Sequence, residues 1–156
     1  MNVKLISFLE VSLDLQLKTR NWRNQENVIP YFKIKNIRED MHLDWLKSMK
    51  SKKPKTIAFL IKIEEHYVGV TYFSYIDYVK RTSDWGIYIH DEKYRGKGVG
   101  KQVLMNCISY AKEEILIDVL FLDVLKTNVK AVRLYENCGF KKIDEENLFC
   151  RYQLIL

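Results

Sequence analysis

Three of the chain's six glycines, Gly96, Gly98 and Gly100, fall within five residues, in the run Tyr94-Arg95-Gly96-Lys97-Gly98-Val99-Gly100-Lys101. A strand pattern precedes this run and an amphipathic helix follows it, with Val99, Val103, Cys107 and Ala111 on one face and Leu104 and Ile108 beside them. Successive glycines let backbone amides turn toward one point, and a helix N-terminus adds its dipole, so the segment is built to hold an anion. Two common phosphate loops fail on spacing. The nucleoside-triphosphate loop requires Ser or Thr after Gly-Lys and a glycine five residues before that Gly, whereas Gly100-Lys101 leads to Gln102 and the earlier position is Arg95. The dinucleotide fingerprint closes on Gly or Ala, whereas Gly96-x-Gly98 leads to Lys101 and Gly98-x-Gly100 to Val103. What remains is Arg95-x-x-Gly98-x-Gly100.

The rest of the composition narrows the class of molecule. A chain of 156 residues, 47% apolar and 13% aromatic with only two prolines, reads as a single domain over residues 1–156 with a real core. The excess of 26 Lys and Arg over 20 Asp and Glu, a net +6, draws anions. Those cations are interleaved with acids in most elements, which argues against a nucleic-acid stripe. The most apolar stretch, Ile115 to Leu125, is about half a membrane span and carries Asp118 and Asp123. The N-terminal Met1 to Glu10, broken by Lys4 and lacking a small-residue cleavage site, is not expected to be a signal peptide. Cys107, Cys138 and Cys150 are odd in number and lack metal-ligand spacing, so no metal is expected and the reduced cytoplasm is the default compartment.

Periodicity supplies the element order. Lys4 to Phe8 reads as a strand. Val11, Leu13, Leu15 and Leu17 alternate with polar residues as a strand would, while Ser12 as an N-cap and the following Trp22-Arg23-Asn24 suit a helix. Ile37, Met41, Trp45 and Met49 mark one face of a helix. Thr56 to Glu64, a turn at Glu65-His66, Tyr67 to Tyr78 and Trp85 to His90 predict a three-strand meander. Val119 to Leu125 is a buried strand; Ala131, Leu134, Tyr135 and Cys138 form a helix stopped by Gly139. Phe140 to Ile143 and Leu148 to Ile155 close the chain as strands. This order argues for an α/β fold with a mixed sheet.

The loop Arg95-x-x-Gly98-x-Gly100 resembles the acetyl-CoA pyrophosphate loop of the GCN5-related N-acetyltransferase (GNAT) superfamily, with one more residue than usual, His90 to Tyr94, between strand and Arg. The segment Leu122 to Phe140, with Asn128, Ala131, Leu134-Tyr135-Glu136 and Gly139-Phe140, resembles the same family's next motif. The resemblance implies an α+β mixed sheet of about seven mostly antiparallel strands and about four helices, split between the fourth and fifth strands. It implies acetyl-CoA as cosubstrate, contacted by Ile87, Ile89, Arg95, Gly96, Lys97, Gly98, Val99, Gly100, Lys101, Asn128 and Tyr135. Acetyl transfer to an amine needs an oxyanion donor and an acid for the leaving thiolate. By resemblance Tyr135 is that acid and a backbone N–H near Ile89 the oxyanion donor. Asp84 and Asp123, on the strands either side of the expected cleft, are candidates for the general base, or else salt-bridge partners.

The first fifty residues resemble the branch of the family that acetylates UDP-4-amino-4,6-dideoxy-N-acetyl-β-L-altrosamine in pseudaminic acid biosynthesis. The match rests on Arg23-Asn24, His42 and Trp45. It implies a small-molecule UDP-aminosugar partner held by Arg23, Phe32, His42 and Trp45 together with Asp84 and Asp123, the Asp84 position carrying a shorter acid than the branch usually has. A planar Arg suits a phosphate, and Trp can stack on uracil or a sugar face. A surface Arg, a structural His42 and a core Trp45 are the alternatives. Protein-amine and antibiotic acetyltransferases share both motifs, but their cationic acceptors favour an acidic groove. A non-catalytic acetyl-CoA sensor would be expected to have lost Tyr135. Oligomeric state, a homodimer included, is not legible.

Overall fold

The computed structural model describes residues 1–156. Its elements are β1 (Val3–Ser7), α1 (Leu13–Arg23), α2 (Glu39–Lys47), β2 (Ile57–Ile63), β3 (His66–Asp77), β4 (Thr82–Ile89), α3 (Val99–Glu113), β5 (Val119–Leu125), α4 (Val129–Asn137), β6 (Lys141–Glu146) and β7 (Phe149–Ile155), with short 3-10 turns at Phe8–Glu10, Ile29–Tyr31 and Glu92–Tyr94. One seven-stranded sheet runs β1-β2-β3-β4-β5-β7-β6. Every neighbour is antiparallel except β4 and β5. The expected sheet, its four α-helices and the break between the fourth and fifth strands are all present.

Alternation along the inner strands sorts the core onto two faces. Ile61, Phe73 and Trp85 join Val103, Leu104, Cys107, Leu120 and Leu122 against α3 and α4. Leu60, Val70 and Tyr88 join Phe8, Val28, Leu46 and Met49 on the face covered by α1 and α2.

The ambiguous segment after Val11 is helical. Ser12 Oγ accepts from the Leu15 amide at 3.2 Å, an N-cap that starts α1. The helix then turns Gln16 and Thr19 inward and leaves Leu13 and Leu17 outside, so the apolar alternation misleads about its buried face. Gln16 is accommodated because its Nε2 donates to Phe8 O at 2.6 Å. On α2 the buried residues are His42 and Leu46, with Met49 just beyond its end; Met41 and Trp45 are half-buried, so the face expected to be core is rotated by about one residue. The hairpin turn falls at Glu64-Glu65, one residue earlier than expected, with Glu64 at φ 54°. The third meander strand begins at Thr82 rather than Trp85, and the last two strands run a residue or more later than expected.

Gly69 has a steric reason to be glycine. β3 carries an extra residue against β2 between Gly69 and Tyr67, and a Cβ at Gly69 would lie 2.2 Å from Tyr88 O. Gly69→Ala must therefore displace β4 just before the glycine loop. The expected cost is about 1–3 kcal/mol, measured by urea denaturation; a variant as stable as the parent would contradict this close approach.

Candidate active site

β4 and β5 pair at three positions only, Thr82 with Val119, Ser83 with Leu120 and Asp84 with Phe121. β4 continues to Ile89 and β5 to Leu125 without touching in register, so the sheet opens and unpaired backbone faces the gap. A cleft of about 630 Å³ fills it. Trp85 to Tyr88 line it from β4 and Leu122 to Leu125 from β5, with Asn128 and Tyr135 from the α4 side and Arg23, Phe32, His42 and Trp45 from the N-terminal third. A second recess of about 460 Å³ adjoins it and shares Tyr31, Leu125 and Asn128. Nine of the residues expected at the site, Arg23, Phe32, His42, Trp45, Asp84, Ile87, Asp123, Asn128 and Tyr135, thus line one cavity.

The glycine loop lies beyond the end of β4. Gly96 and Gly98 sit at φ 70° and 81°, and nothing in the protein lies within 4 Å of a Cβ built at either. They are glycines for the backbone's sake, because left-handed φ is strained for other residues. Gly98 caps α3 without a side chain, and the first helical bond is Gln102 N to Gly98 O at 3.2 Å. The amides from Gly96 to Lys101 therefore have no acceptor within the protein. Lys97 and Lys101 beside them are exposed. Such a cradle fits a diphosphate.

Arg95 is engaged within the protein. Its Nε donates to Ile89 O at 2.8 Å and its Nη2 to Asn27 O at 2.9 Å. The guanidinium ties the loop to the strand end and to the segment after α1, and its planar fork is spent on carbonyls. Asn27 Nδ2 in turn donates to His90 O at 3.2 Å, and Trp22 stacks on His90 with centroids 4.1 Å apart.

Tyr135 is buried on α4 between Trp85 and Phe140, with ring centroids at 6.1 and 5.8 Å, and burial holds its hydroxyl well above the ordinary phenol range. Asn128 is the N-cap of α4, its Oδ1 accepting from Ala131 N at 3.4 Å, and it also lines both cavities.

On the opposite wall the Arg23 guanidinium lies 3.8 Å from the Phe32 ring centroid and donates through Nη2 to Ile34 O at 2.7 Å. Its Nη1 is buried and has no partner. Burial draws its pKa below the usual value, the cost of holding an uncompensated cation. His42 is buried, bonded through Nε2 to Gln16 O at 2.9 Å and stacked on Trp45 at 5.6 Å. Burial lowers its pKa and favours the neutral ring.

The two carboxylates share a partner that sequence reasoning missed. Arg151 on β7 donates to both oxygens of Asp84, at 2.9 and 3.0 Å, and to Asp123 at 3.3 Å. Lys33 reaches Asp123 at 3.5 Å. Lys33 and Tyr72 line the cleft and were missed as well. No local motif marks any of the three; Arg151 could have been found only from its register opposite Asp123 on β5.

A split mixed sheet with an amide cradle at its open end defines an acyl-CoA-binding transferase. The Acetyltransferase (GNAT) family profile matches residues 17–140, and the chain belongs to that family. The acetyltransferase PseH of Campylobacter jejuni subsp. jejuni serotype O:23/36 (strain 81-176) is 33% identical over 149 residues, 94% of this chain and 90% of its own length. The crystal structure of Campylobacter jejuni PseH in complex with acetyl coenzyme A is 27% identical, covers 99% of both chains and superposes with a TM-score of 0.70. Spermidine N-acetyltransferase from Vibrio cholerae in complex with CoA and spermine, 20% identical over 98% of this chain and 95% of its own, shares the fold at a TM-score of 0.82. The protein is an acyltransferase that uses acetyl-CoA. No helix is long and apolar enough to cross a membrane.

The stack of Trp22 on His90 makes a pH prediction. Burial lowers the His90 pKa from 6.5 to about 4, and its Nδ1 is buried without a partner. Between those values the unfolded chain binds a proton that the folded chain does not, so stability is present above 6.5 and is lost as pH falls toward 4. His90→Gln should flatten this loss, seen as a smaller stability difference between about pH 7 and pH 4.5 in urea melts. An unchanged slope would contradict the assignment.

Proposed function

We propose that the protein transfers acetyl from acetyl-CoA to the 4-amino group of a UDP-linked 4-amino-4,6-dideoxy sugar, in the pseudaminic acid pathway, by direct attack in a ternary complex. The observation that carries this reading is the buried, unpartnered Nη1 of Arg23 in the wall of the cleft. An orphaned guanidinium N–H there calls for an anionic acceptor, and a phosphate meets that need. The 33% identity to PseH over nearly the full chain supports the same acceptor class. Lys33 and Arg151 add positive charge around Asp84 and Asp123, which weighs against a polyamine.

Acetyl-CoA supplies an activated carbonyl and a thiol leaving group. The chain's part is to place and protonate. The amides from Gly96 to Lys101 hold the diphosphate at the end of α3, and Asn128 borders the pantetheine path. Trp45 and Phe32 cover the acceptor. Tyr135, protonated at neutral pH, donates to the departing sulfur, whose free thiol has a pKa of about 8.5. Of the two carboxylates, Asp123 takes the amine proton: Arg151 occupies both oxygens of Asp84, whereas Asp123 is held by longer contacts at 3.3 and 3.5 Å. Asp84 anchors Arg151. The enzyme would work in the cytoplasm, a compartment that keeps its three free cysteines reduced.

Thiol release from acetyl-CoA should occur with the UDP-aminosugar and be much slower with spermidine or peptide amines; the reverse preference would overturn the acceptor assignment. Tyr135→Phe is expected to lower kcat about 100-fold with acetyl-CoA binding kept, and unchanged turnover would remove Tyr135 as the acid. Arg23→Ala should raise the acceptor KM about tenfold or more and leave that of acetyl-CoA alone. A rise confined to acetyl-CoA would move Arg23 out of the acceptor pocket.

A further inference from the structure

Tyr72 on β3 stands directly opposite Gly86 on β4. A Cβ at Gly86 would lie 2.5 Å from both Cζ and Oη of Tyr72, so the outer end of the phenol rests on the bare backbone of β4. Gly86 is two residues past Asp84, the last β4 residue paired with β5. The hydroxyl is therefore set at the crotch of the split. Alternation puts it on the face of Asp84 and Tyr88, which α1 and α2 cover and where Arg23 and Trp45 stand. Trp45 meets the Tyr72 ring edge-on at 5.9 Å and fixes its direction.

The hydroxyl makes no hydrogen bond within the protein, and Tyr72 lines the cleft. Its neighbours in the sheet differ. Tyr88 Oη on the adjacent strand donates to Thr19 O at 3.1 Å, and Tyr78 Oη, just past β3, donates to Pro54 O at 2.6 Å. A half-buried tyrosine whose ring is clamped and whose hydroxyl alone is unsatisfied is set for a ligand. Burial pushes its pKa up to about 12, with Arg23, Asp84 and Asp123 all close enough to influence it. It stays neutral, with lone pairs free to accept.

We propose that Tyr72 is a second phenol of the active centre, its oxygen accepting an N–H of the attacking amine and aiming the nitrogen lone pair at the thioester, and that position 86 is glycine so that the phenol can lie there. The inference rests on the acetyl-transfer reading of the cleft, but not on which amine is the acceptor. Because the phenol keeps its proton, Tyr72 orients the amine and does not deprotonate it.

Steady-state kinetics on whichever amine the parent enzyme acetylates test this. Tyr72→Phe, which keeps the ring, should lower kcat/KM for the amine about tenfold or more, with the acetyl-CoA KM, the Kd for coenzyme A and the shape of the pH profile unchanged. Gly86→Ala should produce the same loss by evicting the phenol, and the double variant should be no worse than the poorer single one. Full activity in Tyr72→Phe, a loss confined to acetyl-CoA, or losses that multiply in the double variant would each overturn the proposal. If Gly86→Ala does not fold, Tyr72→Phe decides alone. A parent enzyme that ignores the UDP-aminosugar but acetylates another amine defeats the acceptor reading only, and Tyr72 is then judged on that amine.

Discussion

Three residue pairs join β4 to β5, and the ending of that ladder at Asp84 and Phe121 is what the active centre depends on. Had the two strands stayed in register to Ile89 and Leu125, their facing edges would have closed on each other and no gap would exist for a thioester. The parting is held in place at its apex. Arg151 reaches from β7 to Asp123 on β5 and spans to Asp84 on β4, so a bidentate ion pair fastens the strands just where they separate. Two carboxylates on adjacent strands would repel without it. The same guanidinium thus shapes the cleft and engages both carboxylates that border it.

A second linkage couples the halves of the site. The cradle of amides sits at the far end of β4, while Arg23, Phe32 and Trp45 arrive from the N-terminal third. Arg95 bridges them through Ile89 O and Asn27 O, Asn27 reaches back to His90 O, and Trp22 closes on the His90 ring. Arg95 is therefore a strut: the glycine loop presents backbone amides, and the arginine side chain keeps the segment after α1 docked against the end of β4. The amides at the start of α3 and the helix dipole can meet an anion without any side chain, and the buried Arg23 guanidinium on the other wall is independent of them.

What was legible in the sequence follows from the range of the interaction that specifies it. The glycine loop, Ser12, Asn128 and Gly139 answer local backbone demands, left-handed φ or an uncapped amide, and a short run of residues suffices to read them. The place of Tyr135 at the cleft was legible from its motif on α4. The places of Arg151, Lys33 and Tyr72 were not, because each is set by a partner on another strand or loop, and a strand tyrosine opposite a glycine looks like any other core aromatic. The face of α1 misled for a different reason. Its inward residues are Gln16 and Thr19, tolerated only because Gln16 finds Phe8 O and Thr19 finds Gln16 O, and those contacts lie outside any hydropathy pattern. On α2 the same network pulls His42 inside and rotates Trp45 from core into the cleft wall.

Burial acts on the titratable groups of the cleft in one consistent sense. It raises Tyr72, Tyr88 and Tyr135 and lowers His42, so all four are held in their neutral forms. The fixed charges that remain are Arg23 on the acceptor wall and the Arg151 and Lys33 cluster around the two aspartates. The cleft thus combines neutral buried phenols with one buried guanidinium that has no counter-ion, while Asp84 and Asp123 are matched by Arg151 and Lys33. Neutral donors in such a cleft can stabilise developing negative charge without attracting an ammonium, and carboxylates already shared with Arg151 and Lys33 draw a further cation less strongly than bare ones would.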